Sequence, residues 1–133
     1  MKNLTETSEK IVQKRILDWL NHEEIFAWRN NSGLLFIQGR RVQLGAPGSP
    51  DIIGIMPDGS GRFFGIEVKG AKGKQNDNQL AFEQKVKQWN GVYIVARSLD
   101  EARIALLGRP ALDKTNLNDF LARMRAADDL EAA

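Results

Sequence analysis

Apolar side chains at Val12, Ile16, Trp19 and Leu20 recur at helical spacing, which predicts an amphipathic helix over residues 6–21. A Thr/Ser-rich start can cap its first turn. Glu9 stands seven positions before Ile16, roughly 20° away around the helix axis, so this acid is turned toward the core side. Beyond Asn21 the period is lost. A turn signal at Asn30-Asn31-Ser32-Gly33 separates Phe26-Ala27-Trp28 from Leu34-Leu35-Phe36-Ile37, and the two apolar runs are expected to be a pair of strands. Gly45, Pro47, Gly48 and Pro50 mark a loop.

The strongest hairpin signal follows. Apolar residues 52–56 and the apolar run 63–68 flank Pro57-Asp58-Gly59-Ser60-Gly61, predicting two antiparallel strands. Residues 71–76 are too polar and too rich in Gly for either element, so they form a loop to a helix starting near Asn76 or Asp77 and ending near Trp89, before Gly91. Val92–Ala96 reads as a buried strand, parallel to 63–69 because a helix intervenes. Ser98 and Glu101 form a capping box for a helix running to Gly108. Thr115 caps a last segment whose Leu117, Phe120, Leu121, Met124 and Ala127 make an apolar stripe. The order of elements implies an α/β protein with a central mixed sheet flanked by helices. Residues 1–110 form one domain, and 111–133 a C-terminal amphipathic helix that belongs to it or to a dimer contact.

Composition narrows the function. The 133 residues suit one domain. No apolar run reaches the length of a membrane span, and the first ten residues lack a secretory leader. No membrane association and an intracellular, cytoplasmic location are therefore the expectation. The absence of Cys excludes disulfides and Cys-ligated metals. Residues 1–27 and 111–133 together carry seven Lys/Arg against ten Asp/Glu, which leaves the middle of the +2 chain at +5. A basic middle suits a polyanionic partner, and equally a solvated basic surface.

Folding the hairpin about Gly59 maps position 51 onto position 67, making Asp51 and Glu67 cross-strand neighbours. Directly opposed side chains have Cβ atoms about 5 Å apart, and Lys69, two positions on, shares their face. Phe64, Ile66 and Val68 form the apolar row of the other face. Two carboxylates that close are costly unless a cation neutralises them, and a divalent cation with oxygen ligands does so. Such a metal polarises a phosphoryl oxygen and acidifies its water, while a neighbouring Lys stabilises developing negative charge. On the Glu-Val-Lys spacing alone, a surface hairpin whose acids pair with Lys69 and other cations is the better account.

The longer arrangement carries more information: Gly48-Ser49-Pro50-Asp51, a strand, a turn, Gly65-Ile66-Glu67-Val68-Lys69-Gly70, then a helix after Lys74. It resembles the PD-(D/E)XK nuclease superfamily and, within it, the virus-type replication-repair nuclease (VRR-NUC) family, with small stand-alone phage and bacterial members. The resemblance runs from about Glu9 to about Leu107 and includes Trp28-Arg29-Asn30-Asn31, Gln79 and Gly91-Val92-Tyr93. It implies a restriction-endonuclease-like core. Asp51, Glu67 and the Val68 carbonyl would hold Mg²⁺ or Mn²⁺, Lys69 would be the catalytic lysine, and Glu9 an additional helix acid. A first-turn glutamate favoured by the helix dipole is the plainer account of Glu9. Gln79 shares an inward face with Phe82, Val86 and Trp89; it matches the family's glutamine, or it satisfies buried backbone.

The resemblance further implies a DNA endonuclease acting as a homodimer on branched DNA such as four-way junctions, in replication, recombination or repair. Arg29, Arg40, Arg41, Lys72 and Lys74 are the basic candidates for phosphate contacts, with no acid from Trp28 to Ser49. A solvated surface is an alternative for each. Trp28 and Trp89 are expected in the core, and His22 at a helix end. The stripe at 116–130 either closes the monomer or pairs two copies. The competing function is a catalytically silent nucleic-acid-binding or protein-interaction module that keeps the fold.

Overall fold

The computed structural model describes residues 4–108; the expected helix at 116–130 lies outside them. Helix α1 (Leu4–His22) leads to strand β1 (Ala27–Arg29), a hairpin of β2 (Gly33–Ile37) and β3 (Arg40–Leu44), and a second hairpin of β4 (Ile52–Ile55) and β5 (Phe63–Val68). Helix α2 (Asp77–Gln88) then crosses to β6 (Val92–Ala96), and α3 (Leu99–Leu107) follows. Strands β1, β4, β5 and β6 lie side by side in that order. The first two pairings are antiparallel and β5–β6 is parallel. This central mixed sheet flanked by helices is the restriction-endonuclease-like architecture.

Alternation along the strands decides which face is which. Ile52, Phe64, Ile66, Val68, Ile94 and Ala96 are buried on one face, against Ile16, Trp19 and Leu20 of α1 and Ala102 and Leu106 of α3. Burying side chains of this size contributes roughly 1.5–3 kcal/mol each before the entropy cost of ordering them, so this layer holds the sheet to the helices. Position-by-position alternation then sends Gly65, Glu67, Tyr93 and Val95 to the other face. Among the described residues no helix is long and apolar enough to cross a membrane.

The expected hairpin register holds: Ile52 faces Ile66 and Ile53 faces Gly65, so position 51 projects onto 67. Residues 26–28 and 34–37, expected to pair with each other, do not. β1 instead pairs with β4, Trp28 facing Ile53, and β2 pairs with β3, Phe36 facing Arg41. The turn of that hairpin is Gln38-Gly39, with φ of 51° and 76°, the positive-φ pair of a two-residue hairpin loop. At Ser98 the hydroxyl accepts the Glu101 N–H, but the Glu101 carboxylate reaches back to the Arg97 N–H, one residue before the cap. Trp28 and Trp89 are not core residues. Trp28 sits on the edge strand β1, and Trp89, at the C-cap of α2, is 82% exposed.

Candidate active site

Asp51 precedes β4, and three contacts from Asn30 fix residues 49–51. Its carbonyl accepts the Asn30 N–H at 2.7 Å, while Asn30 Nδ2 donates to Ser49 Oγ at 2.8 Å and to the Pro50 carbonyl at 3.0 Å. The Asp51 side chain crosses to the neighbouring strand, where Oδ2 accepts the Val68 N–H at 2.8 Å. Glu67 stands inside β5, 4% exposed, and Gly65 on the same face lets the chain before Asp51 close over the strand. A Cβ at Gly65 would lie 2.4 Å from Pro50 Cγ.

The two oxygens of Glu67 have different surroundings. Oε1 accepts from Gln79 Nε2 at 3.0 Å and has Lys69 Nζ at 3.9 Å. Oε2 is buried and has no hydrogen-bond partner within the described structure. Burial, then the Asp51 charge, pushes the Glu67 carboxyl up to about 8 against the pull of Lys69. Asp51 is raised too, chiefly by burial and against the Val68 N–H. Burial has the same effect on the phenol of Tyr93, which is pushed up to about 12, with the Glu67 charge adding to it. A buried acceptor left without a donor costs about 1–3 kcal/mol, and a proton or a cation relieves that cost. The chain's own residues thus fit a hard cation held by oxygen donors: Glu67 Oε2, the Asp51 oxygen not bonded to Val68, and a backbone carbonyl such as that of Val68. Among the described residues no group of three or more His, Asp or Glu is placed together to hold a metal ion.

Glu9 comes to the site by another route. Its Oε1 accepts the Gly70 N–H at 2.9 Å, and its charge raises both Asp51 and Glu67. It therefore steadies the turn after Lys69 from α1, close enough to be felt by the pair. Gln79 makes contacts at both ends of its amide. Its Oε1 accepts the Asn76 N–H while Asn76 Oδ1 accepts the Gln79 N–H, completing a capping box at the start of α2, and its Nε2 reaches Glu67.

The basic residues are spread over several surfaces. Lys72 lines a cleft beside Lys69, and Arg29 lines a second one with Lys10 and Lys14. Arg40 and Arg41 stand on β3 directly opposite Ile37 and Phe36, and Lys74 is exposed in the loop before α2. Two residues near the centre were not singled out individually from sequence. Asn30 braces Asp51, and in the sequence it stands only as one member of a turn-like run and of the Trp28–Asn31 segment. Arg97 donates from Nη1 to the Gly70 carbonyl and carried no signal beyond following a strand.

The VRR-NUC domain matches residues 2–100. The chain belongs to the VRR-NUC family. A search of curated proteins finds no match. VRR-NUC membership, within the PD-(D/E)XK nucleases, points to nuclease activity, and the mixed sheet with acids at the Asp51–Glu67 crossing is the scaffold expected for it. In this VRR-NUC domain Pro50-Asp51 leads into β4 and Glu67-Val68 ends β5, with Lys69 directly after it, in the register that brings the acids together.

Proposed function

We propose that the protein is a Mg²⁺- or Mn²⁺-dependent DNA endonuclease of VRR-NUC type, acting as a homodimer on branched DNA in replication, recombination or repair. The observation carrying this reading is the buried Asp51–Glu67 pair with its unpartnered oxygen and Lys69 alongside. Asp51, Glu67 and the Val68 carbonyl would hold the cation. When bound, it supplies Lewis-acid polarisation of the phosphate and an acidified water. Lys69 Nζ orients the attacking water or stabilises charge developing on the phosphate. Gln79 and the Val68 N–H each hold one carboxylate oxygen, which keeps the remaining oxygens directed to the cation. Glu9 fixes the peptide after Lys69 and adds negative charge behind the pair.

DNA as substrate is supported by the basic middle of the chain, with Arg29, Arg40, Arg41, Lys72 and Lys74 as phosphate contacts. The homodimer is supported by β2–β3. Among the described residues this hairpin forms a two-stranded sheet of its own, with Leu34, Leu35, Phe36 and Ile37 exposed. An isolated hairpin is marginal in water, and an apolar patch with free strand edges fits a second copy. The test is cleavage of labelled four-way junction, flap, linear duplex and single-stranded DNA with Mg²⁺, Mn²⁺ or EDTA. Metal-dependent incision favouring the junction upholds the reading. Binding without incision under every metal replaces it with a silent binding module.

A further inference from the structure

β5 and β6 are parallel, and ligands of α/β sheets collect where parallel strands end. Lys69 is the first residue after β5 and Arg97 the first after β6. The Lys69 N–H donates to the Ala96 carbonyl at 3.0 Å, which keeps the two strand ends in step. Beyond them opens a cleft of about 450 Å³, lined by Lys69, Lys72 and Arg97, with Ser8 from α1 at its wall. That is within the usual size range of small-molecule sites.

Three basic residues from three backbone positions thus line one space. Lys69 is within ion-pair distance of Glu67, and two further acids near the strand ends are held by backbone N–H groups. Glu9 spends Oε1 on the Gly70 N–H, and Glu101 spends Oε2 on the Arg97 N–H. Arg97 is anchored through Nη1 to the Gly70 carbonyl, and a guanidinium carries five N–H donors, so among the described residues others are left for a ligand. An anchored guanidinium with spare donors is a strong phosphate ligand. Val12 and Ala71 add apolar wall suited to a sugar. Lys69 lines this cleft and also stands 3.9 Å from Glu67 Oε1, so one nucleic-acid strand can pass from the acid pair into the cleft.

We propose that this cleft is a phosphodiester subsite, in which Arg97 and Lys72 bind the phosphate neighbouring the one that is cut. The proposal rests on the nuclease reading for the word "cut" and on the cleft alone for the binding of a nucleotide phosphate. Arg97 also positions Gly70, so Lys72, which makes no such bond among the described residues, is the cleaner variant.

Two measurements on the full chain test it. Thymidine 3′,5′-bisphosphate is titrated calorimetrically into wild type, Lys72→Ala, Arg97→Ala and Arg97→Lys, with thymidine as control. Loss of a charge-assisted contact is expected to weaken bisphosphate binding about tenfold in each Ala variant, less in Arg97→Lys, with thymidine far weaker throughout. No binding by wild type, or one affinity for all four proteins, overturns the subsite. Cleavage is then measured on substrates carrying a neutral methylphosphonate at each position beside the scissile bond. At one position the neutral linkage should slow wild type about tenfold through KM and add nothing to the loss in Lys72→Ala. Losses that multiply at every position overturn the subsite. Bisphosphate binding that Lys72→Ala weakens, with no cleavage in any metal, overturns the nuclease reading and upholds the subsite.

Discussion

Gln79 joins the start of α2 to the acid pair: its Nε2 holds Glu67 Oε1 at 3.0 Å while its Oε1 accepts the Asn76 N–H at 2.9 Å. One side chain thereby couples helix capping to carboxylate orientation. Gln79→Ala should cost about 1 kcal/mol of stability through the lost cap and slow cleavage about tenfold through a freed Glu67. Thermal unfolding and single-turnover cleavage read the two effects separately. A stability loss with unchanged cleavage would restrict Gln79 to capping.

The acid pair should make stability depend on pH and metal together. The native Glu67 carboxyl titrates at about 8 rather than at its ordinary 4.5, so the metal-free native state holds this proton more tightly than the unfolded chain. Its contribution is full below about 4.5 and lost as pH rises through about 8, and the raised Asp51 acts in the same direction. A cation that binds the ionised pair offsets the loss. The Mg²⁺-induced rise in Tm should therefore be larger at about pH 8.5 than at about pH 6. Differential scanning calorimetry in Mg²⁺ and in EDTA checks it, and an equal rise at both pH values would contradict it.

Gly48 lies where the loop before Asp51 meets α2. Its φ is +78°, and a Cβ there would come within 2.2 Å of the Asn78 carbonyl oxygen. Gly48→Ala should destabilise by about 1–3 kcal/mol from backbone strain alone, with the clash adding to it and displacing Gln79 next to Asn78. A drop in Tm together with slower cleavage is the expected pair of outcomes.

The hairpin prediction concerns assembly. Ile37→Glu places a charge on exposed apolar surface, so the isolated fold should keep its Tm while any dimer formed through β2–β3 dissociates. Light scattering on the eluting protein measures the mass. A variant with the mass of wild type places the dimer contact elsewhere.

Much of the site was legible because its signals are local. The turn centred on Gly59 sets the register that brings position 51 to 67, and the Asn76 cap and Ser98 hydroxyl mark their helix starts in residues close by. The segment 26–44 was not legible for the opposite reason. β1 finds its partner about 25 positions away in β4, and Gln38 at positive φ is a weaker turn signal than the Asn30–Gly33 run that competes with it. Arg97 and Asn30 escaped individual notice because each acts through a backbone carbonyl set by tertiary structure. Trp89 shares helical spacing with Phe82 and Val86, but it is the C-cap of α2, where the helical period no longer sets the side chain's direction.

The central claim is that Asp51, Glu67 and Lys69 form one metal-dependent hydrolytic centre. It is tested most directly by the single-turnover rate on a four-way junction in saturating Mg²⁺ for wild type, Asp51→Asn, Glu67→Gln and Lys69→Ala. The expected result is cleavage abolished by EDTA, at least about a hundredfold slower in each variant, and no slower in the triple variant than in the slowest single one, as for residues that act as a unit. Metal-dependent cleavage that survives Asp51→Asn or Lys69→Ala at the wild-type rate would contradict the account.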